Sequence, residues 1–266
     1  PDMELDLTPI ATKEGYDFIG WNTNKDATTA LNSITFEDSD ITVYAIFKKT
    51  VTINYHTYDT TLDFTDTLDF YNAETTKNTT LKAYNVEANN LYEFVGYVLN
   101  DNETNLNTLK SAGNTISVPV TGLDVYCVYD TDSVLTYLDT DEQTELSTDT
   151  VTNRAITTSI KNQTFTFTCI DKVPHTNYKF DGWLDINNIL HQPNTTYSIT
   201  AHEATLIAQE SLDITPTLVV SPKESDVYFG DTVQMSATLS PDTLENKTIV
   251  WSSSNNNWAT VDENGL

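Results

Sequence analysis

Basic residues are scarce in this sequence: 13 Lys and Arg stand against 39 Asp and Glu, a formal net charge of −26 over 266 residues. A nucleic-acid partner needs a basic footprint to displace counterions, so that class of partner is excluded. An anionic membrane surface would repel the same charge. Cysteine is nearly missing too. Cys127 and Cys169 are the 2 present, each inside a strand-like run, residues 125–129 and 165–170. A bridge between them would have to join different repeats, and buried free thiols are the expected state. Two cysteines leave the redox compartment open. Glycine and proline number 8 each, which excludes a collagen-like chain or a low-complexity linker. No apolar run reaches the length of a membrane span, and no secretory leader opens the chain, so direct membrane insertion is not expected. The sequence begins at Pro1 and its last residues read as the interior of a domain, so it reads as part of a longer chain.

What is abundant is Thr, Asn and Asp alternating with Val, Ile, Leu, Tyr and Phe, a mix that favours strands and turns over helices. One aromatic run occurs three times: Tyr16, Phe18, Gly20 and Trp21; Tyr92, Phe94, Gly96 and Tyr97; Tyr178, Phe180, Gly182 and Trp183. Residues two apart in a strand share a face, so Tyr and Phe point the same way. A bulge at the Gly would turn the following Trp or Tyr onto the face of the Phe, giving each repeat an aromatic core. These residues are read as structural rather than catalytic.

Each run is followed by a polar turn and a closing strand, at residues 41–47, 123–129 and 205–208, and the second and third repeats open on strands at 51–55 and 134–138. Residues 59–78 read as either a hairpin or a short helix, and 80–86 as a strand. Period and order agree across the copies although residue identity does not, as expected of diverged tandem modules. The expected organisation is 1–49, an N-terminally incomplete first module; 50–132, a diverged second; 133–210, a third; and 211–266, a different domain, with 210–217 as linker. In that last part, strands are expected at 218–222, 233–239, 249–251 and 259–261, with a hairpin turn at Gly230-Asp231. The fold class is therefore all-β dominated, as tandem small β modules plus a C-terminal immunoglobulin-like β-sandwich.

The three repeats resemble the Listeria–Bacteroides, or internalin B-type, repeats, through Gly15, Tyr16, Phe18, Gly20, Trp21 and Tyr44-Ala45-Ile46-Phe47 in the first copy. The third copy matches at its aromatic run and Ile207-Ala208. The second departs furthest, with Leu91 for the leading Gly and Tyr97 for Trp. The resemblance implies a small β-grasp-like α+β module, found in tandem on bacterial surface proteins, with no catalytic residues. Residues 211–266 resemble the bacterial immunoglobulin-like group 2 domain (Big2), through Gly230-Asp231-Thr232, the 235–239 strand, Trp251-Ser252-Ser253-Ser254-Asn255, Ala259-Thr260-Val261-Asp262 and Gly265-Leu266. Members of that group continue past the Gly-Leu, which implies a C-terminally truncated domain here. Both families occur in bacterial adhesins and in bacteriophage virion proteins.

Carboxylate pairs are plentiful, but glycosidase chemistry needs two of them facing across a cleft, and these lie in turns. Hard cations take oxygen ligands from such turns, which makes Asp38, Asp40, Asp130, Asp132, Asp139 and Asp141 candidate calcium ligands. No loop has the spacing and Gly of a known calcium motif, and no other cofactor is implied. His56, His175, His191 and His202 lack zinc-ligand spacing and read as surface or packing residues. Trp258 and Tyr58 are the aromatics placed to stack on a glycan.

The composite expectation is a non-enzymatic extracellular stalk or adhesion protein of a bacterial surface, spacing and presenting binding parts. Its partners would be proteins or glycans of a cell surface. The alternatives are a bacteriophage virion protein, such as a head or tail fibre or a capsid decoration among neighbouring virion proteins, and a carbohydrate-binding accessory region of a secreted enzyme.

Overall fold

The computed structural model describes residues 3–36, 39–86, 89–242 and 247–266. It is nearly all β, as the alternating sequence requires. In chain order the strands are β1 (Met3–Glu4), β2 (Asp17–Asn22), β3 (Thr35–Phe36), β4 (Tyr44–His56), β5 (Phe64–Tyr71), β6 (Thr76–Thr80), β7 (Glu93–Val98), β8 (Thr115–Pro119) and β9 (Leu123–Leu138). Then follow β10 (Glu145–Ile156), β11 (Phe165–Thr168), β12 (Tyr178–Leu184), β13 (Leu190–His191), β14 (Thr196–Ile199), β15 (Glu203–Leu212), β16 (Thr217–Ser221) and β17 (Ser236–Ser240). Among the described residues the only helical turns are 3-10 turns at Thr60–Leu62 and Ile160–Asn162, and no α-helix forms. Segment 59–78 resolves into the first of these turns, then β5, which folds back on β4, then β6.

The chain divides into two compact units, Pro1–Tyr137 with Glu145–Thr168 and Thr196–Thr205, and Leu138–Thr144 with Cys169–Thr195 and Leu206–Leu266. In the first unit β4 pairs antiparallel with β2 and β5 and parallel with β9, and β7 and β10 pair with β9. Smaller ladders join β1 to β3, β6 to β8 and β11 to β14. In the second, β12 pairs antiparallel with β13 and β15, and β16 with β17.

The three aromatic runs form the same bulged ladder. The register shifts between Phe18 and Gly20 in β2, between Phe94 and Gly96 in β7, and between Phe180 and Gly182 in β12. One extra residue in each strand puts the Phe and the aromatic three positions later on one face. The ring centroids of Phe18 and Trp21 lie 5.5 Å apart, those of Phe94 and Tyr97 4.9 Å, and those of Phe180 and Trp183 5.0 Å. All three pairs are edge-to-face or tilted, the arrangement aromatic quadrupoles favour. Gly182 has φ +139°, and a Cβ there would stand 2.8 Å from the His191 carbonyl oxygen, so both backbone and space demand glycine. Tyr178 and Phe180 pair in unbroken register with Leu212 and Glu210 and so share a face, as expected; Tyr178 is nevertheless exposed, whereas Tyr16 and Tyr92 are half-buried.

β4 contains both the closing strand of the first repeat and the opening strand of the second, with no linker between them; β9 does the same for residues 123–129 and 134–138. Ile46 and the Val51, Ile53, Tyr55 series have opposite parity, and all are buried. Phe47, whose ring lies 5.8 Å from that of Phe18, has the parity of Val51, Ile53 and Tyr55, so one face of the strand carries the aromatic clusters of both repeats and Ile46 lies on the other. The second repeat's core gathers Val51, Ile53, Tyr55, Phe70, Tyr97, Val125 and Tyr129. Cys127 lies in this core and Cys169 is buried in the second unit, both as free thiols. Burial pushes the Cys127 thiol up to about 12, which removes its thiolate character at neutral pH.

Several expected strands differ. Residues 81–86, 249–251 and 259–261 carry no ladder, and Val250 is 83% exposed. Gly230-Asp231 forms a turn, with the Asp231 N–H donating to the Tyr228 carbonyl, but no strands flank it as a hairpin. Apolar runs of three residues suit strands locally, but only a partner backbone makes one.

β5 pairs with β4 alone among the described residues, and its other edge is closed by side chains. Lys82 Nζ donates to the Thr65 carbonyl at 2.9 Å and Lys77 Nζ to the Asp69 carbonyl at 2.7 Å. The Thr67 and Tyr71 N–H groups donate to Asp66 and Glu74 carboxylates at 2.9 and 2.7 Å. An open edge is a template for another strand, and these groups occupy it. Replacing Lys77 and Lys82 together with Val should raise the weight-average mass in sedimentation equilibrium relative to the parent; an unchanged mass would refute the edge-guard reading. Separately, Gly182→Ala should lower the unfolding free energy by about 3 kcal/mol, from strained φ and the collision with His191, read from the urea midpoint.

Candidate functional site

A cluster of charged side chains in the second unit and an open cleft in the first are the candidate sites, and each lies within one unit. Asp139 follows β9, Lys172 and His175 sit on the loop leading to β12, and Glu210 lies on β15 opposite Phe180. Lys172 Nζ bonds to Glu210 Oε1 and lies 3.3 Å from Asp139 Oδ1. His175 Nδ1 is 2.8 Å from Glu210 Oε2 and its Nε2 is 3.4 Å from Asp139 Oδ2. The His175 N–H also donates to Glu210, and the Thr140 N–H donates to Asp139 Oδ1 at 2.8 Å. The Lys172, Glu210 and Asp139 side chains are 7%, 3% and 15% exposed.

Burial alone would push both carboxyls up. The Thr140 N–H and Lys172 outweigh it at Asp139, and Lys172 and His175 outweigh it at Glu210, so both lie below ordinary values. Burial acts to lower the Lys172 ammonium, and its two carboxylate partners overcome that and raise it. The oxygens of Asp139 and Glu210 and a His175 nitrogen lie within 4.8 Å of one another, the one group of metal-donor spacing among the described residues. Lys172 Nζ already stands against both carboxylates, so the position a cation would take is filled by an ammonium.

The other calcium candidates are engaged with protein donors. Arg154 binds Asp130 in fork fashion at 2.6 and 2.7 Å, Thr152 donates to Asp132 at 2.6 Å, and Asp141 closes its own turn through Gln143 and Thr144. Hydrogen bonds from Thr144 hold the Asp141 carboxyl down at about 2. Asp40 is exposed, and Asp38 lies outside the described residues.

The second place is in the first unit, an open cleft of about 550 Å³ lined by Tyr58, Leu62, Phe64, Lys82, Asn85 and Val86. Tyr58 is half-buried, with its ring 5.5 Å from that of Tyr129 and 5.2 Å from that of Tyr92. Its N–H donates to the Tyr129 hydroxyl, which also bonds the Tyr84 hydroxyl at 3.1 Å. An aromatic ring, an ammonium and an amide around an open apolar floor can hold a polar ligand with a hydrophobic face. Trp258 stands elsewhere, 90% exposed in the second unit, on a turn closed by its N–H to the Asn255 carbonyl. The two glycan candidates belong to different units.

Of the repeat-motif side chains, Tyr97 and Trp183 are buried, Tyr16, Phe18, Trp21, Tyr92, Phe94 and Phe180 are half-buried, and Tyr178 is exposed. Trp21 Nε1 donates to the Pro9 carbonyl, and Trp183 Nε1 to the Ile170 carbonyl at 2.7 Å. Trp251 packs against Gly265, where a Cβ would come within 2.9 Å of the indole and of the Met235 carbonyl oxygen. Sequence reasoning missed Lys172, His175 and Glu210. Glu210 read as the start of a linker and His175 as a surface residue, because their partners lie 38 and 35 positions apart in sequence.

Compared with known families, residues 2–46 match the Listeria-Bacteroides repeat domain and residues 214–266 the bacterial Ig-like domain (group 2). This is the arrangement expected from the motifs. Families of these two kinds are typically non-catalytic, and together they suggest an extracellular, surface-associated modular protein. No curated protein gives a significant match. No helix among the described residues is long and apolar enough to cross a membrane.

Tyr58→Ala should cost about 2 kcal/mol, as expected for a half-buried ring, whereas Trp258→Ala should change stability by less than about 0.5 kcal/mol. Chemical denaturation of the two variants beside the parent reads both values, and equal losses would refute the core role given to Tyr58.

Proposed function

We propose that this chain is a non-enzymatic stalk segment of an extracellular bacterial surface protein, spacing and presenting parts that bind. The observation that carries the reading is the sharing of β4 between the first two repeats. A strand hydrogen-bonded on both sides of a repeat boundary leaves no flexible joint there. A run of repeats joined in this way transmits position rather than motion, which suits a spacer. The acidic surface, at net −26, suits exposure to solvent and discourages self-association.

Peptide mass spectrometry on fractions of the source culture tests this. Enrichment in washed cell envelopes is the expected result. Enrichment in purified bacteriophage particles would replace the stalk with a virion fibre or decoration protein, and recovery in the cytosol would refute both.

A second reading, glycan contact, is favoured by the open cleft beside Tyr58 with Lys82 and Asn85 on its wall. On a glycan array the parent should bind and Asn85→Ala should lose most of the signal, while Trp258→Ala keeps it. Loss on Trp258→Ala alone would move the contact to the second unit, and a blank parent array would refute it.

A further inference from the structure

The amine of Lys172 is enclosed with two carboxyl groups in an arrangement able to make a covalent bond. We propose that Lys172 and Asp139 condense to an intramolecular isopeptide bond, with Glu210 carrying the proton. A bridge of this kind is a property of this chain's own side chains and needs no ligand.

The geometry assigns the roles. Lys172 Nζ is 3.3 Å from Asp139 Oδ1 and bonded to Glu210 Oε1, so the nitrogen meets its acceptor and a base at the same time. The Thr140 N–H donates to Asp139 Oδ1 at 2.8 Å. It is therefore placed to stabilise the negative charge that grows on that oxygen when the carbonyl carbon is attacked. His175 Nε2 faces the other oxygen, Oδ2, at 3.4 Å, where a proton must arrive for that oxygen to leave. Glu210 is the most enclosed of the three and is held by the His175 N–H and imidazole as well. That fixes it as the relay rather than the acceptor.

The step balances without any co-reactant. Lys172 begins as an ammonium and Asp139 as a carboxylate. Glu210 takes a proton from Nζ, the free amine pair attacks Asp139 Cγ, and the N–C bond forms. The C–Oδ2 bond breaks, and the departing oxygen takes up the two protons that nitrogen has lost, one relayed through Glu210 and one through His175. It leaves as one water. The amide keeps one N–H, Glu210 and His175 end as they began, and the two opposite charges disappear together. The ion pair is the resting state, so the reaction runs through the minor neutral form. Two features drive it: the amine nitrogen is held 3.3 Å from an oxygen of the carboxyl it attacks, which replaces a bimolecular encounter, and a buried charge pair is exchanged for a neutral amide, which relieves desolvation.

The test is the intact mass of the whole purified chain after incubation at neutral pH, followed by a peptide map. The expected result is a mass lower than the sequence mass by one water, with the peptides containing Lys172 and Asp139 recovered joined. Lys172→Arg keeps the cation but cannot condense, and should return the full mass with a native circular dichroism spectrum. A parent at full sequence mass overturns the proposal. So does a loss of water that survives Lys172→Arg, since that dehydration would lie elsewhere, for example at a succinimide. Glu210→Gln should slow or abolish cross-linking, and a rate equal to the parent's would overturn the role given to Glu210.

Discussion

Everything in the repeats depends on one backbone irregularity, the extra residue before Gly20, Gly96 and Gly182. Regular alternation would send the aromatic three residues after a Phe to the opposite face of the sheet. The bulge cancels that, so Phe18 meets Trp21 and Phe180 meets Trp183, and each small module obtains two large rings on one side. A module of this size has too little apolar surface to be stable on aliphatic side chains alone. Two interlocked rings, one with its indole N–H bonded to a backbone carbonyl, are what make so short a ladder hold.

From the bulge follow the longer strands. Once the closing strand of a repeat is anchored by the bulged partner, it continues without a break into the next repeat, as in β4. One face then serves the rings of both repeats, Phe47 against Phe18 in the first and Tyr55 with Val51 and Ile53 in the second, while Ile46 is buried on the other. The second repeat, the furthest from the family pattern, keeps the ladder although Tyr97 replaces Trp. Its hydroxyl donates to the Lys82 carbonyl at 3.1 Å. The indole and the phenol solve the same problem of a buried ring with a polar tip.

The parts legible in the sequence were those set by local pattern. The Tyr-x-Phe-x-Gly run carried its own bulge signal, and the alternation of residues 123–129 carried its pairing. What was not legible needed partners distant in sequence. Residues 249–251 have strand composition, yet whether a strand forms is decided by a neighbouring backbone that composition does not mention. The Lys172 cluster draws its members from three segments, with a histidine and a glutamate that look ordinary one at a time. The surroundings of Asp130 and Asp132 were hidden for a related reason: spacing in sequence cannot report that Arg154 and Thr152 on a neighbouring strand engage them.

The parallel pairing of β4 with β9 has a mechanical consequence. The end of β4, Ile53–His56, lies beside the start of β9, Leu123–Tyr126, and both run the same way. A tension that draws the beginning of β4 backward and the far end of β9 forward makes the two strands slide past each other. Their shared rungs are then loaded in shear and must fail together, whereas a hairpin pulled from its open end unzips one bond at a time. For that direction of pull, the strength of the unit is set by the number of rungs acting in concert.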